Sequence, residues 1–153
     1  MLIKCKMQMQ MQMQMQQEKK DTIIEEKYYI QIYRASYSSC ISSIYAIYIG
    51  QYTIAIVPGS VFLTSIHYWS KPDYSYRRYL DMIAVKCALT YQIYIAYNTH
   101  YANIYYISVF LAVSSYFIGI YYYHRQEYWK STFAHIMLHL IANTGNMILY
   151  SGF

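Results

Sequence analysis

From Tyr28 to Trp69 the chain runs for 42 residues without one acidic side chain and with a single Lys or Arg, Arg34. No feature of the sequence limits the fold more. A stretch that long and that poor in charge cannot lie on the surface of a water-soluble domain. It is also too long for one membrane span and about right for two, because a spanning helix needs roughly 20 residues. The turn between the two falls either at Gly50 and Gln51 or at Pro58 and Gly59. The second choice leaves only residues 60–69 to return, too few to cross, so the sequence favours Gly50 and Gln51, with Pro58 kinking the second helix.

Three further spans are predicted at Leu80 to Tyr97, Asn103 to Tyr123 and Thr132 to Tyr150. A short polar link, Asn98 to His100, and a charged one, His124 to Lys130, join them. Composition agrees: 57% of the 153 residues are hydrophobic and 12% are charged, about half the charged share of an average soluble protein. The mean hydropathy is only +0.10, because 23 tyrosines depress it while supplying amphipathic rings suited to a membrane interface. The expectation is therefore an all-α polytopic membrane bundle of about five transmembrane helices over residues 28–153. The competing reading is an aggregation-prone soluble helical domain.

Residues 1–27 differ in kind. The repeat MQMQMQMQMQQ and the charged run Glu18 to Asp21 give neither a helical apolar face nor a cap, which predicts a disordered low-complexity tail. Glutamines interrupt any signal-peptide core. The thioethers also admit a copper-binding reading, which the simple repeat disfavours. Cys5, Cys40 and Cys87 show no paired spacing and indicate no disulfide framework.

Five spans with the N-terminus inside place every basic group outside the spans on one side: the tail lysines, Lys71, Arg77 and Arg78 of the elbow, and Arg125 and Lys130. The elbow is FLTSIHYWSKPDYSYRRYLD, Phe62 to Asp81, whose Trp and Tyr suit the headgroup layer. Arg34 and Lys86 are expected to snorkel to the inner surface. Arg77 and Arg78 read as an orientation signal, with a grip on anionic lipid as the alternative. Topology thus explains the net charge of +5, and nucleic acid is not an expected partner. Two small-residue stripes, Ser39, Ser43, Ala46, Gly50 and Ser108, Ala112, Ser115, Gly119, would let helices approach closely, within the chain or in a homo-oligomer.

Chemistry, where the chain carries any, concentrates in five residues. His135 and His139 are four apart and project from one helix face, the spacing of a two-histidine metal clamp, although zinc needs at least one more protein ligand. The alternative is hydrogen bonding to other helices alongside Asn143 and Asn146. Ser65 and His67 near the inner end of the second span, and Asp81 at the inner start of the third, lie at similar depth. Asp81 reads first as a helix-start residue favoured by the macrodipole. Together the five have the inventory to hold zinc, activate its water and polarise a carbonyl.

This set resembles the alkaline ceramidase and progestin-receptor-like superfamily of membrane hydrolases, which implies Ser65 and Asp81 as catalytic residues and His67, His135 and His139 as zinc ligands. That superfamily has seven spans and a four-residue step between its serine and first histidine. Here the step is two, about 200° of helix, and Trp69 stands at the four-residue position. The stretches TSIHYW, YRRYLD and STFAHIMLHLIANTGNMILYSG also resemble small uncharacterised membrane proteins of large DNA viruses, which implies no activity. The leading expectation is a non-catalytic multi-pass membrane protein in contact with the lipid bilayer and without a cofactor, the alternative a zinc-dependent hydrolase of a lipid amide or ester. On the leading reading the last helix faces inward and His67 is imperfectly placed for the pair.

Overall fold

The computed structural model describes residues 22–153; the Met-Gln repeat, Cys5 and the lysines at positions 4, 6, 19 and 20 lie outside them. All regular structure among the described residues is helical. The helices are α1 (Glu26–Ala35), α2 (Tyr37–Tyr48), α3 (Tyr52–Trp69), α4 (Tyr76–Ala96), α5 (Ala102–His124) and α6 (Tyr128–Tyr150). Each predicted span has a helix in its place.

The first two helices are one rod interrupted at Ser36. That residue is helical, and its amide and hydroxyl both donate to Ile32 O, at 3.0 and 3.1 Å. A hydroxyl competing for the ladder carbonyl is a known cause of helix bending. The rod ends at Gly50, whose φ of +81° suits the residue without a Cβ. There Gln51 N reaches back to Ala46 O at 2.8 Å and closes the helix end. Pro58 lies inside α3, as expected of a kink and not of a turn. Ser43 Oγ donates to Ala55 O at 2.8 Å, beside the Ile54 carbonyl that Pro58 leaves without its ladder donor.

The most extensive helix pair is α5 with α6; α6 also packs on α1 and α2, and α3 packs on α2 and α4, whereas α4 and α5 scarcely touch. Both small-residue stripes are used within the chain. A Cβ at Gly59 would lie 3.1 Å from Ser43 Oγ, and one at Gly145 would lie 2.7 Å from Ser108 Cβ. Gly119 in turn sits against Ser131 O and Ala134.

Side chains are distributed in an unusual way. Buried positions are mostly small or polar: Ser36, Ser39, Ser42, Ala46, Ala55, Ser65, Ala88, Gln92, Ala112, Asn143 and Asn146 among them. The outer faces carry Ile41, Ile44, Ile56, Leu63, Ile83, Ile107, Phe110, Phe117 and Phe133. Two apolar clusters close the ends of the helices. Ile32, Tyr68 and Trp69 lie at the elbow end, and Ala46, Ile54, Ala55, Ala96, Tyr105, Leu149 and Tyr150 at the other. Among the described residues one helix, Ala102–His124, is long and apolar enough to cross a membrane, with mean hydropathy 1.6 and only 17% of that stretch buried.

Candidate functional site

The elbow is built by its own sequence. Asp73 Oδ1 accepts from Ser75 N at 3.2 Å and from the Ser75 hydroxyl, an Asx turn that delivers Ser75 to the N-cap of α4, where its Oγ accepts from Arg77 N at 3.3 Å. Arg77 then folds back. Its Nη2 donates to Lys71 O and Asp73 Oδ2, both at 2.7 Å, and its Nη1 to His67 O at 3.5 Å, so one guanidinium ties the end of α3 to the start of α4. Burial alone would raise the Asp73 pKa, but the Ser75 hydroxyl and Arg77 outweigh it and hold the group below the ordinary value of 3.8. Ile23 N adds a bond to Pro72 O at 3.0 Å. Arg77 is therefore a structural latch as well as a positive charge, and Arg78 lies over the Tyr74 ring at 5.1 Å. A cavity of about 610 Å³ opens beside the elbow, lined by residues that include Lys27, Tyr28, Ser70, Lys71 and Tyr128; none of the five predicted site residues lines it.

One turn further along α4, Asp81 faces inward. Helix α4 begins at Tyr76, four residues before the predicted start, so Asp81 lies beyond the first turn and Ser75 is the cap. This corrects the helix-start reading of Asp81. Its side chain belongs to a buried polar knot: Ser65 Oγ donates to Asp81 Oδ1 at 2.7 Å and Thr64 Oγ1 donates to the same oxygen at 3.0 Å. Asp81 is 9% exposed and Ser65 1%.

Ser65 and His67 point apart, as the two-residue step requires. Ser65 is buried, whereas His67 is exposed, with its Nε2 3.5 Å from Tyr76 Oη. Trp69, one turn beyond Ser65, takes the inward direction and meets His135 edge-on, with ring centroids 4.9 Å apart. His135 and His139 are adjacent, with ring centroids 5.3 Å apart, and His139 is 8% exposed with an Nε2 that has no hydrogen-bond partner among the described residues. Asn143 then joins α6 to α2, its Nδ2 donating to Ser38 Oγ at 3.0 Å, Ser39 Oγ at 3.1 Å and His139 O at 2.8 Å.

The five predicted residues thus form two pairs and an outlier. Ser65 meets Asp81 and His135 meets His139, but His67 joins neither. Among the described residues no group of three His, Cys, Asp or Glu side chains comes together in a metal-binding arrangement. Two imidazoles do not meet zinc's need for a third protein ligand, so the residues present do not fit the three-histidine centre that the resemblance implies. Sequence reasoning missed the roles of Thr64, Trp69, Ser38 and Arg77. The Asp-Tyr-Ser turn before two arginines signals the latch; the other roles depend on which helices become neighbours.

Comparison with family models, with curated proteins and with solved structures returns no match. Neither resemblance gains a matched relative from them.

Proposed function

We propose that this chain is a small multi-pass integral membrane protein with a structural or interaction role, its five rods crossing the bilayer and its elbow on the inner side. The observation that carries this reading is the distribution of side chains, with small and polar residues buried and large apolar ones outward. In water such an arrangement exposes what should be hidden, whereas in lipid, close packing of small residues and interhelical hydrogen bonds hold helices together. Rod lengths agree. At 1.5 Å per residue, the 18 residues of α3 extend about 27 Å and the 23 of α5 or α6 about 34 Å, against a hydrocarbon core of about 30 Å. The first rod is divided into helices of 10 and 12 residues, α4 carries Arg77, Arg78, Asp81 and Lys86, α3 has His67 in its last turn, and α6 holds two histidines and two asparagines, all of which lower the apolar character of these rods relative to α5.

The test is topological. Protein expressed in cells should resist alkaline extraction from membranes, Cys5 should be shielded from an impermeant thiol reagent applied outside, and a reporter fused after Phe153 should be exposed. Extraction into the soluble fraction, or labelling of Cys5 from outside, overturns the reading. The lipid-hydrolase alternative has the Ser65–Asp81 contact in its favour and the position of His67 against it. Stoichiometric zinc in detergent-purified protein, lost in a His135→Ala, His139→Ala variant, would decide for it.

A further inference from the structure

Lys86 is the central residue of α4, ten positions from each end of Tyr76–Ala96. That is about 15 Å from either end of the helix, and a lysine stem extends only about 6 Å, so snorkelling leaves the ammonium well short of both interfaces. Arg34 is better served, being eight residues from the start of its rod and carrying a longer side chain. Lys86 faces outward, and with Cys87, Thr90, Tyr91 and Tyr94 it lines a shallow groove of about 560 Å³ along the face of α4 turned away from Asp81 and Gln92. The Thr90 hydroxyl is already committed to Lys86 O at 2.9 Å.

Among the described residues no carboxylate pairs with Lys86, and most have partners of their own. Glu25 pairs with Lys27, Asp73 with Arg77, Glu127 with Arg125 and Lys130, and Asp81 is held by Thr64 and Ser65. A cation at mid-depth on a lipid-facing surface is costly, and such groups are characteristically paired. We propose that this face of α4 docks a transmembrane helix of a different protein that carries an aspartate or glutamate near its own midpoint, its carboxylate pairing with Lys86. A second copy of this chain fits poorly, because a two-fold contact along α4 would set Lys86 against Lys86 and the only carboxylate well inside the described spans, Asp81, is buried. The proposal rests on the multi-pass reading.

The full chain, carrying a donor fluorophore after Phe153 in phosphatidylcholine vesicles, is mixed with acceptor-labelled leucine-rich spans bearing one central Asp, Asn or Leu. Energy transfer to the Asp span should exceed that to the Leu span by on the order of tenfold in apparent affinity. Lys86→Leu should abolish the preference and Lys86→Arg should keep it, with circular dichroism showing both variants folded. Equal transfer to the Asp and Leu spans, or a preference that survives Lys86→Leu, overturns the proposal. Transfer between donor- and acceptor-labelled copies of the chain that Lys86→Leu abolishes overturns it in favour of self-association. Alkaline extraction of the same vesicles separates the two levels. Chain stripped from the vesicles overturns the multi-pass reading and this inference with it, whereas chain that stays but ignores the Asp span overturns the inference alone.

Discussion

Ser65 shows how one hydroxyl joins two helices. It donates to a buried carboxylate, so Ser65→Ala leaves Asp81 with Thr64 alone and should destabilise the protein by about 1–3 kcal/mol. Thermal unfolding in detergent measures this, and the Ser65→Ala, Asp81→Ala double variant should fall short of the sum of the single losses because both remove one contact. Asp73 makes a prediction of opposite visibility, at the surface. Its pKa in the folded protein lies below the ordinary 3.8, so its contribution is present above that value and is lost as pH falls through the lowered one. Amide exchange in residues 70–75 should therefore stay slow, relative to the intrinsic rate, from pH 7 to about pH 4 and speed up below it. Arg77→Leu should show the fast pattern throughout. The direction of His67 was legible beforehand, since helical geometry alone turns it away from Ser65. Trp69 against His135 was not, because no periodicity reveals which neighbour a ring will meet.

Helix boundaries were read well where the chain carries its own punctuation. Gly50, at the turn expected there, ends the first rod with a left-handed residue. The predicted start of α4 at Leu80 was late because Tyr76, Arg77 and Arg78 read as loop by polarity, whereas Ser75 caps them into the helix. Pairing of helices is where small residues have their effect. Any Cβ at Gly145 would lie 2.7 Å from Ser108 Cβ, so Gly145→Ala should push α5 from α6 and cost about 1–3 kcal/mol. Adding Ser108→Gly should recover at least half of that loss despite glycine's poorer helix propensity, which unfolding of the double variant would reveal. The stripes were visible as spacing in the sequence. That they pack against partners in the same chain was not, since spacing fixes a face but not what covers it.

For the molecule as a whole, the number of rods and their order follow from charge-poor stretches and short connections, both plain in the sequence. The polar knots between rods depended on tertiary arrangement, in which α6 contacts α1, α2 and α5 at once. The weak meeting of α4 and α5 has a consequence of its own. The five residues between these helices act as a tether more than as part of the packing, because α4 leans on α3 and α5 on α6, while α6 holds the two halves together by reaching α1 and α2. A chain severed after His100, which is exposed in that connection, should complement itself. Fragments 1–100 and 101–153 produced together should co-purify as a helical complex in mild detergent, and failure of the pair to associate would mean that the continuous backbone, and not the interhelical contacts, holds the halves together.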